Sequence, residues 1–319
     1  MYLICGEALY DVFVDPMDAD VRRKLSLTAK AGGSPYNVAI GLARLGCAVS
    51  LATEIAGDTL GRQLEARLEL EGVDRQFLRR TAKATPLAMV DVDSAGTPRY
   101  AFYGLEDCLF HPSLAEVKKQ WPALLGVHVG SIPIVSARSA EHLLELVAAV
   151  PAKVLVSFDP NIRLAIEPDA ARWRDAVERF RRHAHLIKVS EEDLVNLYGP
   201  HADFESIAGS WLGGSCSLVA ITRGAHGATY FSRSAGTVQV PSVPVVVADT
   251  VGAGDSFQAA MLAWLAENRH ASPAELAALT PRDVADLGQF AVHAAAATCR
   301  QKGPEFPYRK SLQPHPPAL

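Results

Sequence analysis

Short runs of apolar, often β-branched residues recur along this chain, separated by stretches whose apolar positions fall at helical spacing. Tyr2 to Cys5, Val49 to Thr53, Val127 to Val129, Lys153 to Phe158, Leu186 to Val189 and Leu218 to Thr222 are runs of the first kind. They show little polar alternation, which suits strands covered on both faces. Between them Leu60, Leu64 and Leu68 mark one face of a helix, with Gly72 as its stop. Ser272-Pro273-Ala274-Glu275 reads as a capping box with proline at the first helical position. Alternation of this kind predicts a mostly parallel sheet with helices on both faces. One region breaks it. Pro86 to Asp93 and Arg99 to Tyr103, around Ser94-Ala95-Gly96, predict a β-hairpin, and residues from about 8 to 30 lack a clear helix. Two strand-rich excursions of this sort can pair into a small second sheet, a lid over the strand ends that excludes water from transfer chemistry.

Composition narrows the class. The 319 residues are 49% hydrophobic and 21% charged, with a net charge of −4, an ordinary globular balance for a chain long enough to bury a large core. Arg22-Arg23-Lys24 and Arg179-Phe180-Arg181-Arg182 are the nearest approach to basic tracts. Both lie among acids and read as solvated helix faces, so no nucleic acid is expected as partner. The five cysteines, Cys5, Cys47, Cys108, Cys216 and Cys299, include no C-x-x-C pair, which fits reduced thiols in the cytoplasm. The first residues lack a basic run before the apolar one and meet Glu7 early, unlike a signal peptide. The uncharged stretch Trp121 to Ala137 contains Pro122, Gly130 and Pro133 and does not read as a membrane span. The tail Gln313-Pro314-His315-Pro316-Pro317 reads as a loose end. His183 and His185 form the only close histidine pair and do not suggest a metal site, and His128, inside an apolar run, reads as a satisfied core residue.

The most informative segment is Asp249-Thr250-Val251-Gly252-Ala253-Gly254-Asp255-Ser256-Phe257. Val245-Val246-Val247 before it looks like a strand, and Phe257 to Glu267 after it looks like a helix. At such a helix mouth the first amides lack partners and favour an anion. Glycine lets the backbone approach a phosphate, and Asp255 in the same turn can take a proton from an attacking hydroxyl. The spacing alone equally allows Asp255 to be a mere cap and the glycines a mere turn. The second glycine segment is Ala31-Gly32-Gly33-Ser34-Pro35-Tyr36-Asn37-Val38-Ala39, leading into a helix that ends at Gly46. It can present donors to a polyol, or simply start a helix.

Together these segments resemble the ribokinase-like carbohydrate kinases, also called the phosphofructokinase-B type. Gly57-Asp58-Thr59-Leu60-Gly61, Asp159-Pro160-Asn161-Ile162-Arg163 and Thr222-Arg223-Gly224-Ala225-His226-Gly227 resemble three further motifs of that family, in its order. The resemblance implies one three-layer α/β/α ribokinase-like domain over 1–319, with a small β-sheet lid from about 8–30 and 85–108. It implies an ATP-dependent sugar kinase in which Asp255 is the general base and the amides of Gly252, Ala253 and Gly254 stabilise the transferring phosphoryl group. Asp11, Gly32, Gly33 and Asn37 match sugar-binding positions, and Arg163 an arginine that approaches substrate or phosphate. Lys188, Thr222, Gly224, Gly227 and His293 would border the nucleotide, with the strip from Ala291 to Thr298 beside adenine. Mg²⁺ would be organised through water by Glu192 and Asp193. Asp249, with nearby carbonyls, matches a monovalent-cation (K⁺) site.

This chain departs from the family pattern at Ser190-Glu191-Glu192-Asp193, which stands in place of Asn-x-x-Glu, and at His293, where asparagine is common. Ser190 and Asp193 also read as a capping box. Gly6-Glu7-Ala8-Leu9-Tyr10-Asp11, His128-Val129-Gly130-Ser131 and Lys188 to Asp193 look most like fructokinases, with 2-keto-3-deoxygluconate kinase and ribokinase as rivals. A non-catalytic sugar- or nucleotide-binding module on the same fold is the alternative from another class. The family also forms homodimers through the lid.

Overall fold

The computed structural model describes residues 1–14, 26–92, 98–105 and 113–312. The turn Ser94–Gly96, Cys108, the Arg22–Lys24 run and the tail from Gln313, as well as parts of both lid segments, lie outside the described residues.

Each of the six apolar runs that open the sequence analysis falls on a strand. In chain order the strands are β1 (Tyr2–Cys5), β2 (Leu9–Val14), β3 (Leu27–Gly32), β4 (Val49–Ala56), β5 (Leu78–Thr81), β6 (Leu87–Val92), β7 (Pro98–Tyr103), β8 (Gly126–Gly130), β9 (Leu155–Asp159), β10 (Leu186–Ser190), β11 (Leu218–Thr222), β12 (Ala228–Ser232) and β13 (Gly236–Val240). Nine form one sheet in the order β13-β12-β11-β10-β9-β8-β1-β4-β5. Its interior pairs are parallel, while β11–β12 and β12–β13 are antiparallel.

Why the strands read as continuous apolar runs is visible in their two faces. Successive side chains on a strand point to opposite sides. Tyr2 and Ile4 of β1 enter one core, with Leu155, Leu186, Leu218 and Ala220. Leu3 and Cys5 enter another, with Val156, Phe158, Ile187 and Val219. The first core is closed by the helices Ser34–Arg44, Thr59–Leu70, Ala253–Glu267 and Pro281–Cys299, the second by Ala140–Ala149, Ala170–Arg181, Glu191–Tyr198 and Phe204–Trp211. Helices therefore cover both faces, the three-layer α/β/α arrangement of ribokinase-like proteins. Among the described residues no helix is long and apolar enough to cross a membrane.

The second sheet is small, in the order β3-β2-β6-β7. Its hairpin β6–β7 is antiparallel and β2 runs parallel to β6. Leu9, Ala88, Leu105 and Ile132 pack as a minor core beneath it.

One local expectation fails. Val245-Val246-Val247 is not a strand: the chain from Pro241 to Ala248 pairs with no sheet, and Val246 is 91% exposed. Pro241 and Pro244 each lack an amide hydrogen to offer a ladder, and the sheet has already ended at β13. The histidine of β8 behaves as read: His128 is buried with Nδ1 3.2 Å from Ser157 Oγ, and burial pushes its pKa down to about 3. The described cysteines, Cys5, Cys47, Cys216 and Cys299, are free thiols.

Candidate active site

The Ala253–Glu267 helix starts from Gly252, whose φ of 80° is in the left-handed region. A Cβ there would lie 2.8 Å from Cβ of Pro304, so both conformation and space call for glycine. Asp255, two residues into the helix, is only 9% exposed. Its Oδ1 accepts a hydrogen bond from Ser34 Oγ at 2.6 Å, and its Oδ2 accepts one from Asn37 Nδ2 at 2.8 Å. Both donors belong to the first turns of the Ser34–Arg44 helix. The two glycine segments are thus mouth to mouth, and the carboxylate lies between them.

The loop that delivers those donors is itself shaped by glycine. Gly33 has φ 100°, and a Cβ on it would meet the Glu7 carbonyl oxygen at 2.6 Å. A Cβ on Gly32 would fall 2.3 Å from Asp11 Oδ2, so the Asp11 carboxylate passes directly over the Gly32 backbone. Burial pushes the Asp11 carboxyl up to about 6; the negative charge of Asp255 adds to this, and the positive charges of Arg163 and Lys30 oppose it. Arg163 is an exposed side chain whose Nη1 donates to the Ile162 carbonyl at 2.9 Å.

Beneath the helix mouth lies a buried ion pair, Lys188 Nζ donating to Asp159 Oδ2 at 2.8 Å, with side chains 4% and 1% exposed. A Cβ on Gly254 would lie 3.0 Å from that ammonium, so the charge rests against the backbone of the turn. Burial works against the Lys188 ammonium, but the carboxylates of Asp159, Asp193 and Asp255 outweigh it and hold its pKa above the ordinary value. Asp159 Oδ1 is buried without a hydrogen-bond partner.

Next to β10, Thr222 pairs with Ser190 in the parallel register of β11. The turn that follows uses Gly224 and Gly227 at φ 50° and 80°, and a Cβ on Gly227 would lie 2.1 Å from the Val240 carbonyl. Ser190 and Asp193 form the capping box that the residues suggested: Asp193 Oδ2 accepts from the Ser190 amide and hydroxyl, and Asp193 Oδ1 accepts from the Ile162 amide at 2.7 Å. Glu192 is exposed beside it. His293 lies farther along, on the Pro281–Cys299 helix, with Nδ1 2.7 Å from the Gln289 carbonyl. Asp249 caps its own turn, accepting from the Val251 amide at 3.1 Å and the Gly303 amide at 2.8 Å.

Residue-by-residue reading missed several members of this site. Ser34 carries no sequence signal beyond beginning the helix. Glu7 is 3% exposed; it accepts from Ser131 Oγ at 2.7 Å through Oε1, its Oε2 has no partner, and burial pushes it up to about 7. Its signal was a lone acid after a glycine in an apolar run. Ser131 and Asn161, at φ 57° and 45°, close the strands β8 and β9, and Asn161 Nδ2 lies 3.4 Å from Ser131 Oγ. Non-glycine residues in that region are strained and gather at functional sites.

A buried carboxylate aimed by two donors, at a glycine-formed helix mouth with an ammonium behind it, on a ribokinase-like fold, belongs to the class of sugar kinases. The model of the pfkB family carbohydrate kinases matches residues 2–311, and the chain belongs to that family. It is similar to a fructokinase of Rhizobium leguminosarum bv. trifolii, 32% identical over 315 residues covering 99% of this chain and 90% of the relative. It is 35% identical to a fructokinase of Klebsiella pneumoniae over 286 residues, 88% of this chain and 90% of the relative. Among solved structures, a fructokinase with bound ATP from Xylella fastidiosa superposes with a TM-score of 0.84 at 27% identity, covering 98% of this chain and 97% of that one.

Proposed function

We propose that this protein is a fructokinase, moving the γ-phosphoryl group of ATP to the primary hydroxyl of D-fructose to give fructose 6-phosphate. The observation that carries the reaction is the Asp255 carboxylate, buried and held by Ser34 and Asn37 at the mouth of the Ala253–Glu267 helix. The choice of fructose is supported by the fructokinases to which the chain is 32% and 35% identical.

In this reading Asp255 takes the hydroxyl proton as the sugar oxygen bonds to the γ-phosphorus and the bond to the ADP oxygen breaks. The donors from Ser34 and Asn37, one on each carboxylate oxygen, fix the direction of the base. The amides of Gly252 and Gly254 and the Lys188 ammonium face the charge that develops on the phosphoryl group, where fixed donors act most strongly; the Ala253 amide, expected to join them, instead donates to the Thr250 carbonyl at 3.2 Å within the turn. Asp11, Gly32, Gly33 and Asn37 line the sugar side, with Arg163 at its rim. Thr222, Gly224, Gly227 and His293 lie on the nucleotide side. The small sheet, which carries Asp11 on β2, acts as the lid.

Mg²⁺ accompanies the nucleotide. Among the described residues no group of three or more His, Cys, Asp or Glu forms a protein cage for a metal. That suits an ion held mainly by phosphates and water with one or two carboxylates. The unpartnered buried oxygen of Asp159 and the exposed Glu192 supply such carboxylates. Asp193, engaged at the helix start, keeps a lone pair on Oδ1 for a water. Bound Mg²⁺ neutralises phosphate charge. Free thiols favour a cytoplasmic location, and exposed Leu27 and Tyr103 on the small sheet favour a homodimer formed through it.

The test is coupled detection of ADP release with fructose, 2-keto-3-deoxygluconate, ribose and nucleosides. Fructose should give the highest kcat/KM; a higher value with another acceptor reassigns the substrate. Ligand binding without turnover of any acceptor would instead identify a non-catalytic module.

A further inference from the structure

The carboxylate of Asp249 has little room for a metal ion. Oδ1 accepts from the Val251 amide, Oδ2 accepts from the Gly303 amide at 2.8 Å, and the Lys30 ammonium stands 3.6 Å from the same Oδ2. The nearby Cys299 carbonyl is also engaged, accepting from the amides of Ala248 at 2.8 Å and Asp249 at 3.3 Å. A monovalent cation needs several oxygens that together replace its water. Here the oxygens face donors, and a positive charge is already in place. The residues around Asp249 therefore do not fit K⁺.

Lys30 is built into this position. It lies on β3 directly across from Asp11 of β2, so one ammonium stands within electrostatic reach of both carboxylates. Its stem crosses Gly303: that glycine has φ 84°, and a Cβ on it would lie 2.7 Å from Lys30 Cδ and 2.9 Å from Nζ. The ammonium is also 5.2 Å from the centroid of the Phe13 ring, a favourable placement for a cation. At 27% and 23% exposure the pair adds little to global stability. Its effect is local, on the turn from Asp249 to Gly254 that carries the phosphoryl-binding amides.

We propose that the Lys30 ammonium takes the place of a monovalent cation at Asp249, so that this enzyme works without added K⁺. Lys30 is a positioning residue: it neutralises Asp249, which holds the Val251 amide and the Gly303 segment on either side of the turn. The proposal rests on the sugar-kinase reading for its kinetic arm and stands independently of it for ion binding.

The experiment measures kcat of the full-length protein in tetramethylammonium buffer at constant ionic strength, with K⁺ replacing the organic cation. Wild type, Lys30→Arg and Lys30→Met are compared, and the melting temperature of each is recorded across the same series. Wild type and Lys30→Arg should change by less than about twofold, while Lys30→Met loses about tenfold and regains it with K⁺. K⁺ should raise the melting temperature of Lys30→Met and leave that of wild type unmoved. Wild-type activity that rises severalfold with K⁺ overturns the proposal. So does a folded Lys30→Met that K⁺ neither reactivates nor stabilises. If no acceptor is turned over in any salt, the kinase reading fails, and the melting series still decides whether Lys30 replaces the ion.

Discussion

Asn37 Nδ2 donates to Asp255 Oδ2 at 2.8 Å, a contact between residues 218 positions apart in the chain. It joins a residue assigned to the sugar with the residue assigned to its proton. Asn37→Ala should therefore do more than raise the sugar KM. It should also lower kcat, by about tenfold for one lost donor to a charged group, with the ATP KM nearly unchanged. An equal rise in both KM values would remove Asn37 from the sugar side.

Asp255→Asn should reduce kcat by about 10²–10⁴-fold or more while sugar binding persists. The fold tolerates the change because the new amide can keep its oxygen toward Asn37 and turn its nitrogen toward the Ser34 hydroxyl, which can reverse from donor to acceptor. Calorimetric sugar titration checks the point. Joint loss of binding and turnover would mean a structural role.

Gly32→Ala places a methyl 2.3 Å from the Asp11 carboxylate oxygen. The group that must yield is the end of a side chain, so the fold survives and the damage falls on the sugar. A raised sugar KM with an unchanged melting temperature is the expected pattern; a large fall in melting temperature would show that the backbone, not Asp11, had to move.

Lys188→Met leaves Asp159 buried without its partner. Breaking a buried pair in this way costs about 3–5 kcal/mol, and chemical denaturation should show it. The double change Lys188→Met with Asp159→Asn should recover part of that stability but not the turnover, since the charge behind Gly254 is still missing. Full recovery of activity would exclude Lys188 from phosphoryl stabilisation.

The pH dependence of stability follows from Glu7. Burial raises its pKa from the ordinary 4.5 to about 7, so the native protein keeps a proton that the unfolded chain has released. Stability is then greatest below the unfolded value and declines as pH rises through about 7, by about 3 kcal/mol from this group alone. Asp11, raised to about 6, contributes in the same direction. Glu7→Gln mimics the protonated form and should flatten the decline in denaturation midpoints across this range. An unchanged pH slope would mean that Glu7 is ionised throughout.

Much of the large sheet was legible because strands covered on both faces leave uninterrupted apolar runs, as from Leu186 to Val189. The edge strands were not. In β13, residues such as Thr237 and Gln239 alternate with partly covered ones and carry no continuous signal. Val245 to Val247 carried the signal without the structure, since three valines suggest a strand but two prolines leave no ladder to join. At the site, motif residues such as Asp255 and Asn37 could be marked but not their contact, which depends on how two distant helices face each other. The sequence alone assigns no role to Ser34, Glu7 or Lys30, because each acts through the partner it reaches in space.

β3 ends at Gly32, and the helix bearing Ser34 and Asn37 begins at Ser34. Only one residue separates the sheet that carries Asp11 from the helix whose Ser34 and Asn37 hold the Asp255 carboxylate. Gly33, at φ 100° and packed against the Glu7 carbonyl, is the whole of that link. On the proposed reading, seating of the acceptor and alignment of its proton acceptor are geared together through this link, so a sugar that holds the sheet at the wrong angle would bind and still leave the carboxylate misdirected.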